Sequence, residues 1–70
     1  MLPILRPEQV IKGLELNGFC FVKQRGSYRK YKMGSRTVII PMHNEVARGT
    51  LASILEQSGL TLEQLTQHIK

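Results

Sequence analysis

The stretch Phe19–Pro41 reads FCFVKQRGSYRKYKMGSRTVIIP, and its interpretation decides the fold. Three segments rich in β-branched and aromatic residues are separated by Arg25-Gly26-Ser27 and Gly34-Ser35-Arg36. Gly-Ser pairs between such segments are turn signals, so the stretch predicts a meander of three antiparallel strands. The first strand is FCFVKQ, the second runs from Ser27 to Met33, and the third is TVIIP. In the second, a period of two places Tyr28, Lys30 and Lys32 on one, wetter face. Arg29, Tyr31 and Met33 share the other, with Tyr31 and Met33 directed at the core. The third strand is apolar on both faces and reads as buried, with Pro41 ending its ladder pairing.

Helical patterns flank this meander. Pro7 suits a first helical position, Glu8 complements the helix dipole, and Val10, Ile11 and Leu14 share one face. A first helix is therefore expected over 7–17, stopped by Gly18 in a left-handed conformation. Gly13 inside it costs about 1 kcal/mol relative to alanine and implies a close approach there. MHNEVARG reads as a loop leading into a helix with Leu51, Ile54 and Leu55 inward and Gly59 at its end. Thr61 and Gln64 form a capping box for a last short helix lined by Leu62, Leu65 and Ile69, with Leu60 stapled to Leu65. The expected fold is α+β, of order α-β-β-β-α plus a short C-terminal helix, with helices on one face of the sheet and the other open.

Seventy residues make one domain, 1–70, too small for a deep substrate cavity. No apolar run reaches the roughly 20 residues of a membrane span, and MLPILRP is too short and proline-rich for a secretory signal. The one cysteine, Cys20, is read as a small apolar residue in a reducing, cytoplasmic setting.

The net charge of +5 comes from one place. Before residue 23, Arg6 and Lys12 balance Glu8 and Glu15. After residue 36, Arg48 and Lys70 fall one short of Glu45, Glu56 and Glu63. Between them Lys23, Arg25, Arg29, Lys30, Lys32 and Arg36 stand without a single acid. Such a cluster suits a phosphate backbone; the plainer alternative is a solvated basic hairpin. No Cys/His cluster has metal-ligand spacing, no Walker-type loop is present, and Glu45 has no carboxylate neighbour in sequence, so no metal or cofactor is called for. Ser27 in a turn is more often a backbone cap than a nucleophile.

Three segments, GFCFVKQRGSYRKYK, TVIIPMHNE and GTLASILEQSGLTLEQL, in this order and spacing resemble the HicA family of bacterial toxins. The resemblance implies a fold like the double-stranded-RNA-binding domain and a metal-independent endoribonuclease that cuts mRNA and blocks translation. It also implies a HicB-type antitoxin that covers the active surface. The family turn usually reads Gly-Ser-His, and its histidine is regarded as catalytic; here the turn is Gly26-Ser27-Tyr28. Natural drift and deliberate replacement would both produce that turn.

Metal-free RNA cleavage needs a base for the ribose 2′-hydroxyl and an acid for the leaving oxygen. An imidazole titrating near 6.5 serves either role at neutral pH, whereas an ordinary phenol, titrating near 10, can donate a proton but accepts one poorly. The chain is therefore expected to bind RNA better than it cuts it, with Lys23, Arg25, Ser27, Arg29, Lys30, Lys32 and Arg36 as the RNA-contacting set. Tyr28 can also stack on an unpaired base. His43, just past Pro41, is a second candidate catalytic group, against a loop histidine bonded to its own backbone. His68 near the last helix suits the dipole and is assigned no function. Two other readings stay open: a module that only holds RNA, and an interaction protein whose basic face meets an acidic partner.

Overall fold

A computed structural model describes residues 2–69. The order is α1 (Pro7–Leu16), β1 (Cys20–Arg25), β2 (Tyr28–Met33), β3 (Arg36–Pro41), α2 (Arg48–Ser58) and α3 (Leu62–Thr66). The three strands form one antiparallel sheet in the order β1-β2-β3. This is the α+β order expected from the pattern, and it is consistent with the double-stranded-RNA-binding-domain-like arrangement that the resemblance implies.

Both hairpins close through two-residue loops, Gly26-Ser27 and Gly34-Ser35. Gly26 has φ +60° and Gly34 φ +59°, a left-handed conformation at the first loop position, as in a type II′ turn. Gln24 steadies the first turn by donating from Nε2 to the Gly26 carbonyl at 3.0 Å.

The helices cover the β3 side of the sheet. Helix α2 packs on β3, and α1 packs on α3 and β3. Val10, Leu14, Val38, Ile40, Leu51, Ile54 and Leu65 are almost wholly removed from water, and Phe19 and Tyr31 nearly so. Burying side chains of this size contributes roughly 1.5–3 kcal/mol each before conformational entropy is subtracted.

Strand β3 carries one inward face, Val38 and Ile40, while Ile39 between them is 38 % exposed on the open side. The expectation of a strand buried on both faces is thus corrected, because the sheet has helices on one side only. The ladder also continues past Pro41. The Met42 amide donates to the Ser27 carbonyl at 2.6 Å, and the Ile39 amide, pointing off the sheet edge, donates to Gln57 Oε1 at 3.3 Å. Pro41 occupies the intervening outward position, where a missing N–H removes nothing from the pairing.

Other expectations shift too. Met33 is 38 % exposed rather than in the core, since it ends β2 at the sheet's rim. Cys20 is exposed, not packed, because β1 is an edge strand with every residue accessible. Asn17 is the cap of α1 rather than its last helical residue, and its Nδ2 donates to the carbonyls of Gly13 at 2.8 Å and Gln64 at 3.1 Å. Arg48 and Gly49 belong to α2 rather than to the loop before it. Ile69 lies beyond α3 and is exposed. One pairing had no signal in the sequence: Leu5 and Val46 form an isolated antiparallel bridge, the Val46 amide donating to the Leu5 carbonyl at 2.7 Å.

The cap signals are present in the structure. Pro7 opens α1, and the Arg6 amide donates to Gln9 Oε1 at 2.9 Å. A hydrogen bond from its own backbone amide, helped by Arg6, holds the exposed Glu8 carboxyl below the usual carboxylate range. In α3 the Gln64 amide donates to Thr61 Oγ1 at 3.1 Å and the Thr61 amide to Gln64 Oε1 at 2.9 Å, a reciprocal box. Gly59 ends α2 with φ +74°.

Gly13 marks the contact between α1 and α3. A Cβ there would collide with the Leu65 carbonyl oxygen and come within 2.9 Å of Leu65 Cδ1. Gly13→Ala gains about 1 kcal/mol of helix propensity but forces the two helices apart, at a typical overpacking cost of about 1–3 kcal/mol, and the obstacle here is backbone. Thermal unfolding should show a lower midpoint, by several degrees. A raised midpoint would mean that α3 does not press on α1 at this position.

Candidate nucleic-acid interface on the open sheet face

Side chains on a regular strand alternate between faces, so Phe21 and Lys23 should share one. The pairing of β1 with β2 breaks that rule. Phe21 pairs with Tyr31, but the next partner of Lys30 is Lys23, leaving Val22 as an extra residue. This β-bulge reverses the phase between the two ends of the strand. Phe21 lies with Tyr31 on the helix-side face, while Lys23 and Arg25, held in register by the Gly26-Ser27 loop, lie on the open face with their partners Lys30 and Tyr28.

Register places Lys32, paired with Cys20 and Thr37, on this open face, and also Ile39, paired with Lys30. A shallow cleft of about 290 Å³ opens there, lined by Lys23, Arg25, Tyr28, Arg29, Lys30 and Ile39. Tyr28 is 53 % exposed at its end of β2, directly after the Gly26-Ser27 loop. Among the described residues, no carboxylate and no histidine lines the cleft.

The six cations of 23–36 therefore divide. Lys23, Arg25, Lys30 and Lys32 belong to the open face by register. Arg29 pairs with Gln24 and Ile40 and lies on the helix side, with its Nε donating to Gln24 Oε1 at 3.0 Å. Arg36 turns toward α2: its guanidinium packs on Gly59, and Nη1 donates to the Gln57 carbonyl at 3.5 Å. There it meets the partial negative charge of the helix C-terminus. Among the described residues the one ion pair is Arg6–Glu8, at 3.4 Å between exposed groups, so none of these six cations is neutralised by a carboxylate.

His43 is exposed and does not line the cleft. Its neighbour Met42 bonds to Ser27, which keeps the segment beside the Gly26-Ser27 loop. The adjoining Asn44 has φ +55°, a left-handed conformation that asparagine tolerates better than most residues. His68 is remote from the open face. It borders a second cleft of about 320 Å³ with Leu16, Asn17, Gln64 and Gln67, and its ring nitrogens are buried with no hydrogen-bond partner among the described residues. No group of three or more His, Cys, Asp or Glu among the described residues could hold a metal ion, and no described helix is long and apolar enough to cross a membrane.

The arrangement offers flexible cations around an accessible phenol and one aliphatic side chain. It can neutralise phosphates and stack on a planar group. Neither an imidazole nor a carboxylate is among the described residues of its lining.

A comparison with curated proteins finds no match. Residues 7–60, from the start of α1 to just past α2, match the family described as "HicA toxin of bacterial toxin-antitoxin". That span contains the whole sheet and both longer helices, and the chain belongs to this family of toxins from bacterial toxin–antitoxin systems.

Proposed function

We propose that this toxin binds RNA across the open sheet face, in the manner of an mRNA-cleaving endoribonuclease, and that Tyr28 leaves it a weak catalyst. The observation that carries the reading is the cleft itself: Lys23, Arg25, Lys30 and Tyr28 converge on one uncovered face with no acid among them. Flexible cations on a strand contact phosphates without reading sequence. Lys32 extends the same face along β2, Arg29 borders it, and Ser27 presents its hydroxyl in the loop before Tyr28. Arg36, packed on Gly59, is the least available of the six for RNA.

The chemistry is that of a missing base. Tyr28 follows Gly26-Ser27 where the family's turn carries histidine. A phenol there donates a hydrogen bond to a phosphate oxygen or stacks on a base, but is a weaker general base than an imidazole toward a 2′-hydroxyl. His43, held beside the loop by the Met42–Ser27 bond, is the remaining imidazole in reach of the hairpin and is proposed as an auxiliary group. The reaction needs no metal or cofactor. It would take place in the cytoplasm, on messenger RNA.

The same exposed cations suit a second macromolecule. A HicB-type antitoxin with an acidic surface would cover the open face and exclude RNA from it, since opposite charge steers both partners to one patch.

Two measurements test this. Tyr28→His should raise the cleavage rate of single-stranded RNA by roughly 10²- to 10⁴-fold, the usual worth of a general acid–base group, and should arrest growth on expression. If the variant neither cuts RNA nor slows growth, the ribonuclease reading fails. Separately, affinity of the unaltered chain for RNA should fall steeply with salt, and Lys30→Ala should reduce the slope of log K against log salt by about 0.7 for single strands. A flat salt response would favour the basic face as a protein-binding surface alone.

A further inference from the structure

The bulge at Val22 puts Phe21 on the opposite face of β1 from Lys23 and Arg25, beyond the cover of the helices. Phe21 is 53 % exposed and Val22 beside it 46 %, on a strand that is accessible throughout. The ring is not loose. It meets the buried Tyr31 edge-on, with centroids 5.7 Å apart and planes at 70°. The Arg29 guanidinium carbon lies 5.9 Å from its centroid, and Arg29 is itself oriented by Gln24. Together they make an accessible aromatic ring with a cation over one face, on the opposite side of β1 from Lys23 and Arg25.

We infer that Phe21 with Arg29 is a stacking platform for one unpaired base, so that a single-stranded RNA wraps the free edge of β1. This rests on the RNA-binding reading above and adds a second contact surface to it. Lys23 and Arg25 on the open face would hold the backbone, and the chain would turn over the edge to lay a base on Phe21.

Three features select this occupant over a protein. The sequence from Leu16 to Asn44 contains no acid, so the sheet that carries the ring adds no charge that repels a phosphate. An aromatic ring backed by a guanidinium holds bases on its free face without regard to sequence. The apolar area is one ring and one valine, small for a protein contact and sufficient for a base. A rigid duplex cannot use the platform, because its bases are stacked within the helix. The inferred ligand is therefore single-stranded.

The test uses the full chain, a short labelled oligouridylate and an RNA duplex of the same length. Phe21→Leu keeps an apolar side chain at an exposed position. It should weaken binding of the single strand by about ten-fold, the loss of one stacked base, with the salt slope and the duplex affinity unchanged. Because the chain has no tryptophan, Phe21→Trp installs a sole tryptophan, excited selectively over the two tyrosines, whose emission should be quenched by oligouridylate and not by duplex, at near-native affinity. Equal affinity of Phe21→Leu for the single strand, or emission from Phe21→Trp that saturating oligouridylate does not move, overturns the inference and makes the patch a protein contact. Loss of all RNA binding by the unaltered chain would instead remove the RNA-binding reading on which the inference rests.

Discussion

A two-residue loop and a single surplus residue at Val22 together set what each face of this sheet presents. The Gly26-Ser27 loop fixes the register, so Arg25 comes opposite Tyr28 and Lys23 opposite Lys30, which concentrates like charge on the open face. An unbroken β1 in that register would carry Phe21 to the open face as well and turn Val22 toward Tyr31. The bulge instead returns Phe21 to Tyr31 on the helix side. Like charges paired directly across strands are unfavourable, and no carboxylate among the described residues relieves them. A surface of this kind costs stability in isolation, and a polyanionic partner would reverse the sign of that cost.

The rest of the fold makes the concentration tolerable. The helices pack on β3 and its side of the sheet, leaving the charged edge hydrated. The core is built on Val38, Ile40, Leu51, Ile54 and Leu14, with Tyr31 carrying it toward the edge. The contact of Gly13 with Leu65 and the bonds of Asn17 tie α1 to α3, so the helical layer does not depend on β1. The bulge and the basic residues also blunt the unpaired edge of β1 against pairing with a second copy, a common hazard of edge strands. Stability and charge thus occupy opposite sides of a small domain.

Much of this was legible in the residues. Glycines in Gly26-Ser27 and Gly34-Ser35 located both hairpins, the Thr61–Gln64 box located α3, and the acid-free run from Lys23 to Arg36 located the candidate surface. Tyr31 could be assigned inward by alternation from Tyr28. What could not be read were features that depend on tertiary placement. A bulge leaves no signature when the extra residue is valine, an ordinary strand former. The exposure of Cys20 and Ile39 follows from which strand is at the edge and which face lacks helices, and neither is encoded locally. Arg36 reads as one more cation of the cluster until α2 is seen to bring its C-terminus against it. The Leu5–Val46 bridge joins segments too distant for any local pattern.

The most direct test is a titration of the isotopically labelled chain with single-stranded RNA, followed by amide chemical shifts. The account predicts that perturbed resonances fall on the β1–β2 hairpin and Ile39, centred on Lys23, Tyr28 and Lys30, with α1, α2 and α3 quiet. Perturbations gathered on the helical side, with the open sheet face unmoved, would contradict it.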